Sequence, residues 1–347
     1  MPSLIEIAKR QLTLTTHHLH TMPVLILMPH SRCNCRCVMC DIWKANRNGS
    51  EIAPELLDAH LDDVARLDVQ WVVLSGGEAL MHRNLWALCE RLKRLDIKIT
   101  LLSTGLLLSR HAENIVRWTD ETIVSLDGSR AVHDAIRRVP RAFDRLAEGV
   151  AALRDQDPTY PVSGRCVLQQ QNFRDLPQII EAAHAIGLDS ISFLAADVST
   201  DAFNRAQLWE DERVAEIALS PNEVADFERI MEATIVRYAA DFAAGYIAES
   251  PDKLRRLVAY YAALNGHGDF PAVRCNAPWV SAVVEADGTV RPCFFHAPLG
   301  NINDQPLGEI LNGEAGRAFR RTLDVATDAI CRKCVCTLQL GPRAVVG

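Results

Sequence analysis

The distribution of cysteine constrains this chain more than any other feature of its sequence. Of eleven cysteines, four fall within residues 33–40 and five fall in the last quarter of the chain. An odd number, unevenly spread, argues against a framework of disulfides, and the first residues lack the basic-then-apolar order of an export signal. The sequence therefore predicts a cytoplasmic protein whose clustered thiols bind metal. Cys89 and Cys166 stand alone in apolar segments, and we interpret both as buried small side chains.

Short β-rich runs alternate with helical patterns from residue 24 onward. The predicted strands are Val24–Met28, Trp71–Leu74, Ile97–Leu102, Thr122–Leu126, Val162–Gln169 and Ser190–Leu194. Several are continuous apolar runs, which are typical of parallel strands buried on both faces. Between them, the predicted helices are Pro54–Leu67, Asn84–Leu95 with Asn84 as its cap, Phe143–Leu153, and Leu176–Ile186 ending at Gly187. Six strand–helix repeats predict a parallel α/β domain, either an open sheet or a barrel.

The second part of the chain has a different pattern. Residues 200–270 are acidic and helical, with no clear strand. Trp279–Phe294 then predicts a hairpin, whose turn lies at Asp287-Gly288. A predicted helix over Leu307–Thr322 and a cysteine-rich tail follow.

Composition excludes two classes of partner. The chain is 48% hydrophobic and 23% charged, with a net charge of −7. An acidic protein of this kind gives no reason to expect binding to nucleic acid or to an anionic membrane surface. No apolar run approaches the roughly 20 residues that a membrane-spanning helix needs.

The first cysteine cluster follows the first predicted strand directly. Cys33, Cys37 and Cys40 have the spacing Cys-x3-Cys-x2-Cys, and Cys35 does not belong to it. Three thiolates around one cubane leave its fourth iron without a protein ligand, and that iron is open to a small molecule. The alternative is a zinc site, but Cys35 is too close in sequence to complete a tetrahedron with all three.

This triplet resembles that of the radical S-adenosylmethionine superfamily, in which it follows the first strand of a barrel. The resemblance covers about residues 24–196 and implies a partial (β/α)6 barrel like the TIM barrel, with a [4Fe–4S] cluster that binds S-adenosylmethionine. In that family the cluster splits the sulfonium reductively, and the resulting 5′-deoxyadenosyl radical abstracts a hydrogen atom. Such an enzyme implies an electron donor, such as flavodoxin or ferredoxin.

Further motifs carry the same resemblance at successive strand ends. Gly76-Gly77-Glu78 resembles the family's Gly-Gly-Glu motif, in which glycines allow a close approach and a carboxylate complements the methionine ammonium. Ala79 stands where the family usually has proline. The other residues that the resemblance assigns to the cofactor are Ser103, Thr104, Ser125, Asp127, Arg165 and, near the adenine, Met39, with Asn172 in a similar pattern.

The later cysteines resemble the auxiliary-cluster extension of this family, which is called SPASM when complete and twitch when shortened. The complete form has seven cysteines, whereas this region has five. The resemblance implies that an auxiliary [4Fe–4S] cluster is held by the following four, with Cys336 spare or an alternative ligand: Cys275, Cys293, Cys331 and Cys334. A structural zinc site with four cysteine ligands is the alternative.

We therefore expect an N-terminal extension (residues 1–23), a barrel (24–200), a helical connector (201–270) and a small α+β auxiliary-cluster domain (271–347). The shortened extension, and the few residues before the first strand, favour a small polar metabolite, such as an alcohol or an amino sugar, oxidised with the auxiliary cluster as electron acceptor. The alternatives are a peptide- or protein-modifying enzyme and, in a different class, an iron–sulfur sensor.

No catalytic base is assigned. His133, Asp134, Arg137 and Arg138 form either a substrate-contacting loop or a solvated face, and Glu285 and His296 lie near the auxiliary cysteines.

Overall fold

The computed structural model describes residues 2–205 and 207–346, and six parallel strands form the centre of it. All six predicted strands are present, with ends that differ from the prediction by one or two residues. Each strand lies beside the next one in the chain, as in a partial (β/α)6 TIM-like barrel. The strands are β1 (Val24–His30), β2 (Trp71–Gly76), β3 (Lys98–Ser103), β4 (Glu121–Ser125), β5 (Val162–Leu168) and β6 (Ser190–Ala195).

Helices cover the sheet and account for most of the remaining chain. Their apolar faces are buried against the strands: Leu85, Leu88 and Leu92, for example, are fully buried at helical spacing. The helices are α1 (Leu4–Thr16), α2 (Pro54–Asp58), α3 (Leu61–Arg66), α4 (Leu85–Lys93), α5 (Leu108–Trp118), α6 (Arg130–Arg137), α7 (Ala142–Gln156), α8 (Leu176–Ala185), α9 (Asp211–Ala215), α10 (Pro221–Arg237), α11 (Ala239–Ala243), α12 (Pro251–Leu264), α13 (Ala277–Val280), α14 (Leu307–Asn312) and α15 (Glu314–Thr322). Within the described residues, no helix is both long and apolar enough to cross a bilayer.

Three helix predictions need correction. The segment predicted as one helix from Pro54 is two, α2 and α3, because His60 between them bonds through both ring nitrogens to the backbone of Ile302 and Leu307. The last predicted helix is likewise interrupted, at the extended residue Gly313. Asn84 precedes α4, but its side chain makes no capping hydrogen bond.

The predicted hairpin is present, and it also pairs with the barrel sheet. Its strands are β7 (Ser281–Val284) and β8 (Thr289–Arg291), followed by the short β9 (Gly300–Asn301). Strand β7 pairs in parallel with β1, Val24 opposite Ser281, so the hairpin extends the barrel sheet to nine strands. This pairing places the hairpin beside β1, whose carboxyl end leads into the first cysteine cluster.

The acidic segment is helical, as predicted, and it packs on the far edge of the barrel. Tyr261 of α12 is fully buried, and its hydroxyl donates to the Leu168 carbonyl at 2.5 Å and accepts from the Ala196 N–H at 3.0 Å. These bonds hold the carboxyl ends of β5 and β6, where the barrel does not close on itself. Cys89 and Cys166 are fully buried, which confirms that they are core residues.

Candidate cluster and cofactor site

A cavity of about 320 Å³ lies at the carboxyl ends of the parallel strands. This is the edge at which α/β barrels place their active sites. Its walls combine residues of the first cysteine loop, of the ends of β2 to β6, and of the second part of the chain. They include Cys33, Cys37, Met39, Cys40, Gly76, Gly77, Ser103, Thr104, Ser125, Arg137, Arg165, Phe203, Phe294, Phe295 and Cys336.

The cysteine loop presents three of its four thiols to this cavity. Cys33, Cys37 and Cys40 line it, whereas Cys35 does not. Cys35 is 1% exposed and packs with Leu106, and its thiol is hydrogen-bonded to those of Cys33 and Cys37. The spacing that separates these three cysteines from Cys35 therefore corresponds to a difference in which side chains line the cavity.

Each of these three sulfurs accepts a hydrogen bond from an N–H group. The backbone N–H of Cys35 donates to Cys33 Sγ at 3.5 Å, and the backbone N–H of Ile42 donates to Cys40 Sγ at 3.5 Å. The third donor is the Arg137 guanidinium, whose Nη1 lies 3.4 Å from Cys37 Sγ. Metal-bound thiolates are stabilised by such donors, so the arrangement suits an anionic iron–sulfur cluster.

Helix α6 holds the cysteine loop in place. The N–H groups of Arg36 and Val38 donate to the carbonyls of Arg137 and Ile136, each at 3.1 Å, at the end of that helix. Arg137 also pairs with the fully buried Asp127. The Cys35 thiol and, next, the nearby guanidinium lower the pKa of the Cys37 thiol to about 7 although burial opposes the charge, which favours a thiolate at this position.

The interpretation of His133, Asp134, Arg137 and Arg138 as a solvated face is wrong for most of them. His133 and Arg137 are buried on α6, only Arg138 of the four is exposed, and Arg137 lines the cavity. Burial lowers the pKa of His133 to about 3, and its Nδ1 accepts a hydrogen bond from the Asp127 N–H at 3.1 Å. Asp134 accepts from the N–H groups that begin α7. The segment is a structural support.

Gly76 and Gly77 allow the end of β2 to approach the cysteine loop. A Cβ on Gly77 would lie 2.0 Å from the Arg32 carbonyl oxygen, and Gly76 has φ +102°. Glu78 follows, but its carboxylate is fully buried and does not line the cavity. It accepts from the Thr104 N–H at 2.7 Å and from the Ser103 hydroxyl at 3.1 Å.

The remaining predicted cofactor residues separate into two groups. Ser125, Met39 and Arg165 line the cavity. The Nε of Arg165 donates a hydrogen bond to the Ser192 hydroxyl at 3.3 Å. Asp127 lies beneath the cavity, where its carboxylate accepts from the Val167 N–H at 3.0 Å. Asn172 also lies beneath, and it donates to the Asp127 carbonyl at 2.8 Å.

The later cysteines also surround a site rich in N–H donors. Cys275 Sγ accepts from the Ala277 N–H at 3.4 Å, and Cys293 accepts from backbone N–H groups of Phe295 and His296. His296 is 6% exposed, and its Nε2 lies 3.4 Å from Cys331 Sγ. In the sequence, His296 is marked only by its proximity to these cysteines, because no spacing rule identifies a histidine that will lie beside a sulfur.

The spacing of these thiols bears on the zinc alternative. Zinc–sulfur bonds of about 2.3 Å would bring four sulfurs to about 3.8 Å from one another. In the part of the chain that the structure describes, the one group of three candidate ligands within 4.8 Å of one another is His296, Asp328 and Cys331. Four of the later cysteines are therefore not set at the mutual distances of a tetrahedral zinc site.

Cys336 faces the cavity that the first cluster lines, a position that the sequence did not predict. It is exposed to that space, and its carbonyl accepts a hydrogen bond from the Cys334 thiol at 2.9 Å. A second chamber of about 360 Å³ adjoins the cavity. Phe203 and Phe294, with ring centroids 4.8 Å apart, belong to both walls.

Comparison with known proteins gives the following similarities. The family model of the radical SAM superfamily matches residues 27–183, and that of the SPASM iron–sulfur cluster-binding domain matches residues 275–335. Two curated relatives come from Methanosarcina barkeri. An Fe-coproporphyrin III synthase is 25% identical over 334 residues, which cover 90% of this chain and 80% of the relative. An AdoMet-dependent heme synthase is 24% identical over 312 residues, which cover 84% of this chain and 82% of the relative. The crystal structure of Streptococcus suis SuiB bound to the precursor peptide SuiA has a TM-score of 0.64 at 16% identity, covering 92% of this chain and 70% of that one, and shows the same fold.

Proposed function

We propose that this chain, which belongs to the radical S-adenosylmethionine superfamily and carries a SPASM-type domain, is an enzyme that oxidises a small organic substrate. Its cofactors are S-adenosylmethionine, the [4Fe–4S] cluster that binds it and an auxiliary iron–sulfur cluster. One observation carries the proposed reaction: a single cavity is lined by Cys33, Cys37 and Cys40 on one side and by Cys336, next to the auxiliary cysteines, on the other.

The cysteines divide into two proposed ligand sets. Cys33, Cys37 and Cys40 hold the first cluster, because their sulfurs face the cavity and each accepts an N–H hydrogen bond. The auxiliary cluster is held by Cys275, Cys293, Cys331 and Cys334.

The cofactor residues have two kinds of proposed role. Gly76 and Gly77 offer backbone groups to the methionine end of the ligand, and the following side chains contact it directly: Ser103, Thr104, Ser125, Met39 and Arg165. Glu78 and Asp127 are positioning residues. The Glu78 carboxylate fixes Ser103 and Thr104, and Asp127 fixes Arg137 against Cys37.

The proposed reaction is a net two-electron oxidation. When bound, the first cluster and S-adenosylmethionine supply a 5′-deoxyadenosyl radical. The substrate loses one hydrogen atom to that radical, forming 5′-deoxyadenosine, and then loses one electron to the auxiliary cluster and one proton to solvent or a base. Phe203, Phe294 and Phe295 provide an apolar wall, which limits the access of water and of other side reactants to the site.

The dimensions of the site support a small substrate. A cavity of about 320 Å³ with an adjoining chamber of about 360 Å³ is of the size that holds drug-sized molecules. The two relatives that align over most of their own length are named for porphyrin products. Porphyrin precursors therefore belong in the first set of candidate substrates, beside alcohols and amino sugars.

A substrate screen tests this function. We expect the reconstituted enzyme, with reductant and S-adenosylmethionine, to release 5′-deoxyadenosine faster by about tenfold or more with its substrate, as about 1.4 kcal/mol of transition-state stabilisation would give. Mass spectrometry should show a product that has lost two hydrogen atoms. A product of unchanged mass would contradict the oxidation and favour epimerisation or rearrangement.

Cys35 and Cys336 provide an internal control on the ligand assignment. Because Cys35 does not line the cavity, Cys35→Ala should keep both clusters and most of the cleavage activity. Cys336→Ala should also retain both clusters, measured as iron and sulfide per chain. Loss of the auxiliary cluster in Cys336→Ala, with its retention in Cys334→Ala, would show that Cys336 is the fourth ligand.

Arg137 should set the reduction potential of the first cluster. Its guanidinium donates to Cys37 Sγ and places a positive charge beside it, so removing it disfavours the added electron. We expect Arg137→Met, combined with Asp127→Asn to avoid an unpaired buried carboxylate, to shift the midpoint potential negative by about 60 mV, a tenfold change for one electron. Arg137→Lys keeps the charge and should shift it less. Potentials are read by electron paramagnetic resonance during redox titration, and equal potentials in all variants would contradict this role.

A further inference from the structure

The surface of the cysteine loop is basic although the chain as a whole is acidic. Residues 31–48 contain Arg32, Arg36, Lys44 and Arg47, all exposed. The one acid in this segment is Asp41, which is 4% exposed and lies 2.7 Å from Lys44 Nζ. Four bases and one acid give the segment a net charge of +3, against −7 for the whole protein.

Local contacts fix this surface directly over the first cluster site. Asn46 brackets the backbone of Cys33, since its Oδ1 accepts from the Cys33 N–H and its Nδ2 donates to the Cys33 carbonyl, both at 2.9 Å. The Arg36 guanidinium lies 6.0 Å from the centre of the Trp43 ring. The cations are therefore held on the outer face of the loop, while its three sulfurs face the cavity within.

The end of helix α6 adds a further cation. The hydrogen bond from the Arg36 N–H to the Arg137 carbonyl places the exposed Arg138 next to the loop. We call the five residues together the basic patch: Arg32, Arg36, Lys44, Arg47 and Arg138.

We propose that the basic patch is the docking surface for an acidic electron-carrier protein of the flavodoxin or ferredoxin class. This rests on the proposed function, which needs one electron per cleavage of S-adenosylmethionine: the carrier is oxidised by one electron and the first cluster is reduced by one. The cavity side of the cluster is taken by cofactor and substrate, so the outer face of the loop is the short path for that electron. A positive patch steers a negative partner to it and speeds encounter.

Arg36 and Arg117 make a matched pair of substitutions for the test. Both are exposed arginines beside a tryptophan ring, at 6.0 Å from Trp43 and 5.0 Å from Trp118. Arg117 lies at the end of α5, which runs from the cavity edge back to the amino ends of the strands. Neither side chain lines the cavity, so Arg36→Glu and Arg117→Glu both leave the cofactor residues intact.

Stopped-flow absorbance measures reduction of the first cluster in the holoenzyme by two reductants, a reduced acidic flavodoxin and dithionite. We expect Arg36→Glu to slow reduction by flavodoxin by tenfold or more and to slow reduction by dithionite, which is a small anion, far less. Arg117→Glu should match the unsubstituted protein with both. Raising the salt concentration should slow the flavodoxin reaction of the unsubstituted protein and should affect that of Arg36→Glu less, because salt screens the attraction.

The remaining outcomes each overturn an identified claim. An unchanged rate with flavodoxin in Arg36→Glu, or equal slowing by Arg117→Glu, would overturn the docking surface. Equal slowing with flavodoxin and with dithionite would mean that Arg36 acts on the cluster itself, and would also overturn the docking surface. Failure of dithionite to produce any cluster reduction or 5′-deoxyadenosine in the unsubstituted holoenzyme would instead contradict the proposed function.

Discussion

Replacing Cys33, Cys37 and Cys40 together by alanine is expected to abolish 5′-deoxyadenosine formation and to halve the iron content. Two cubanes give about eight irons and eight sulfides per chain after anaerobic reconstitution, and the triple variant should keep about four of each. The loss is complete because these are the three thiols that the loop presents to the cavity, and without them a cubane there has no set of three ligands.

The control for this variant is Cys35→Ala, which changes the same loop at a thiol that does not line the cavity. Helix α6 holds the loop backbone through Arg36 and Val38, so the loop should keep its course without metal. Retention of eight irons in the triple variant would contradict the assignment. About four irons and one bound zinc per chain in the unsubstituted protein would mean that the later cysteines bind zinc and not an auxiliary cluster.

The strands could be predicted because each is a buried, nearly continuous apolar run. Six such runs with intervening helices allow few arrangements, and the observed order is the simple one. The cavity edge followed from the same reasoning, since Gly77, Ser103 and Ser125 all stand where parallel strands end. The position of a short motif in the fold can therefore be predicted from sequence alone when the motif immediately follows a strand.

What sequence could not predict depends on contacts between distant segments. Glu78 stands at a strand end, as predicted, but the hydrogen bonds that its carboxylate accepts from Thr104, 26 residues later, follow from no local pattern. Arg137 follows Cys37 by 100 residues, and no local pattern marks an arginine that will donate to a sulfur. The pairing of β7 with β1 is of the same kind, because it sets Val24 opposite Ser281, which is far away in sequence.

Replacing Cys275 and Cys293 by alanine is expected to stop product formation while 5′-deoxyadenosine still appears. After hydrogen abstraction the substrate must lose one more electron, and the auxiliary cluster is the proposed acceptor. The Cys33–Cys40 cluster remains in this variant, so cleavage of S-adenosylmethionine continues, uncoupled from turnover. The measurement is the ratio of product to 5′-deoxyadenosine, which we expect to fall from near one to near zero.

This variant must first be shown to be folded and to bind S-adenosylmethionine, because the binding energy of a buried cluster is also folding energy. Cys275 begins the segment that leads into α13 and β7, and Cys293 follows β8, so the auxiliary cluster joins the hairpin to the tail. Cys336→Ala serves as the matched control, since it removes a thiol beside the same cluster without removing a proposed ligand. If the folded variant forms product at a comparable rate, the auxiliary cluster is not the electron acceptor. The second domain would then shape the substrate pocket, and a redox-neutral rearrangement or epimerisation would account for the chemistry better than oxidation.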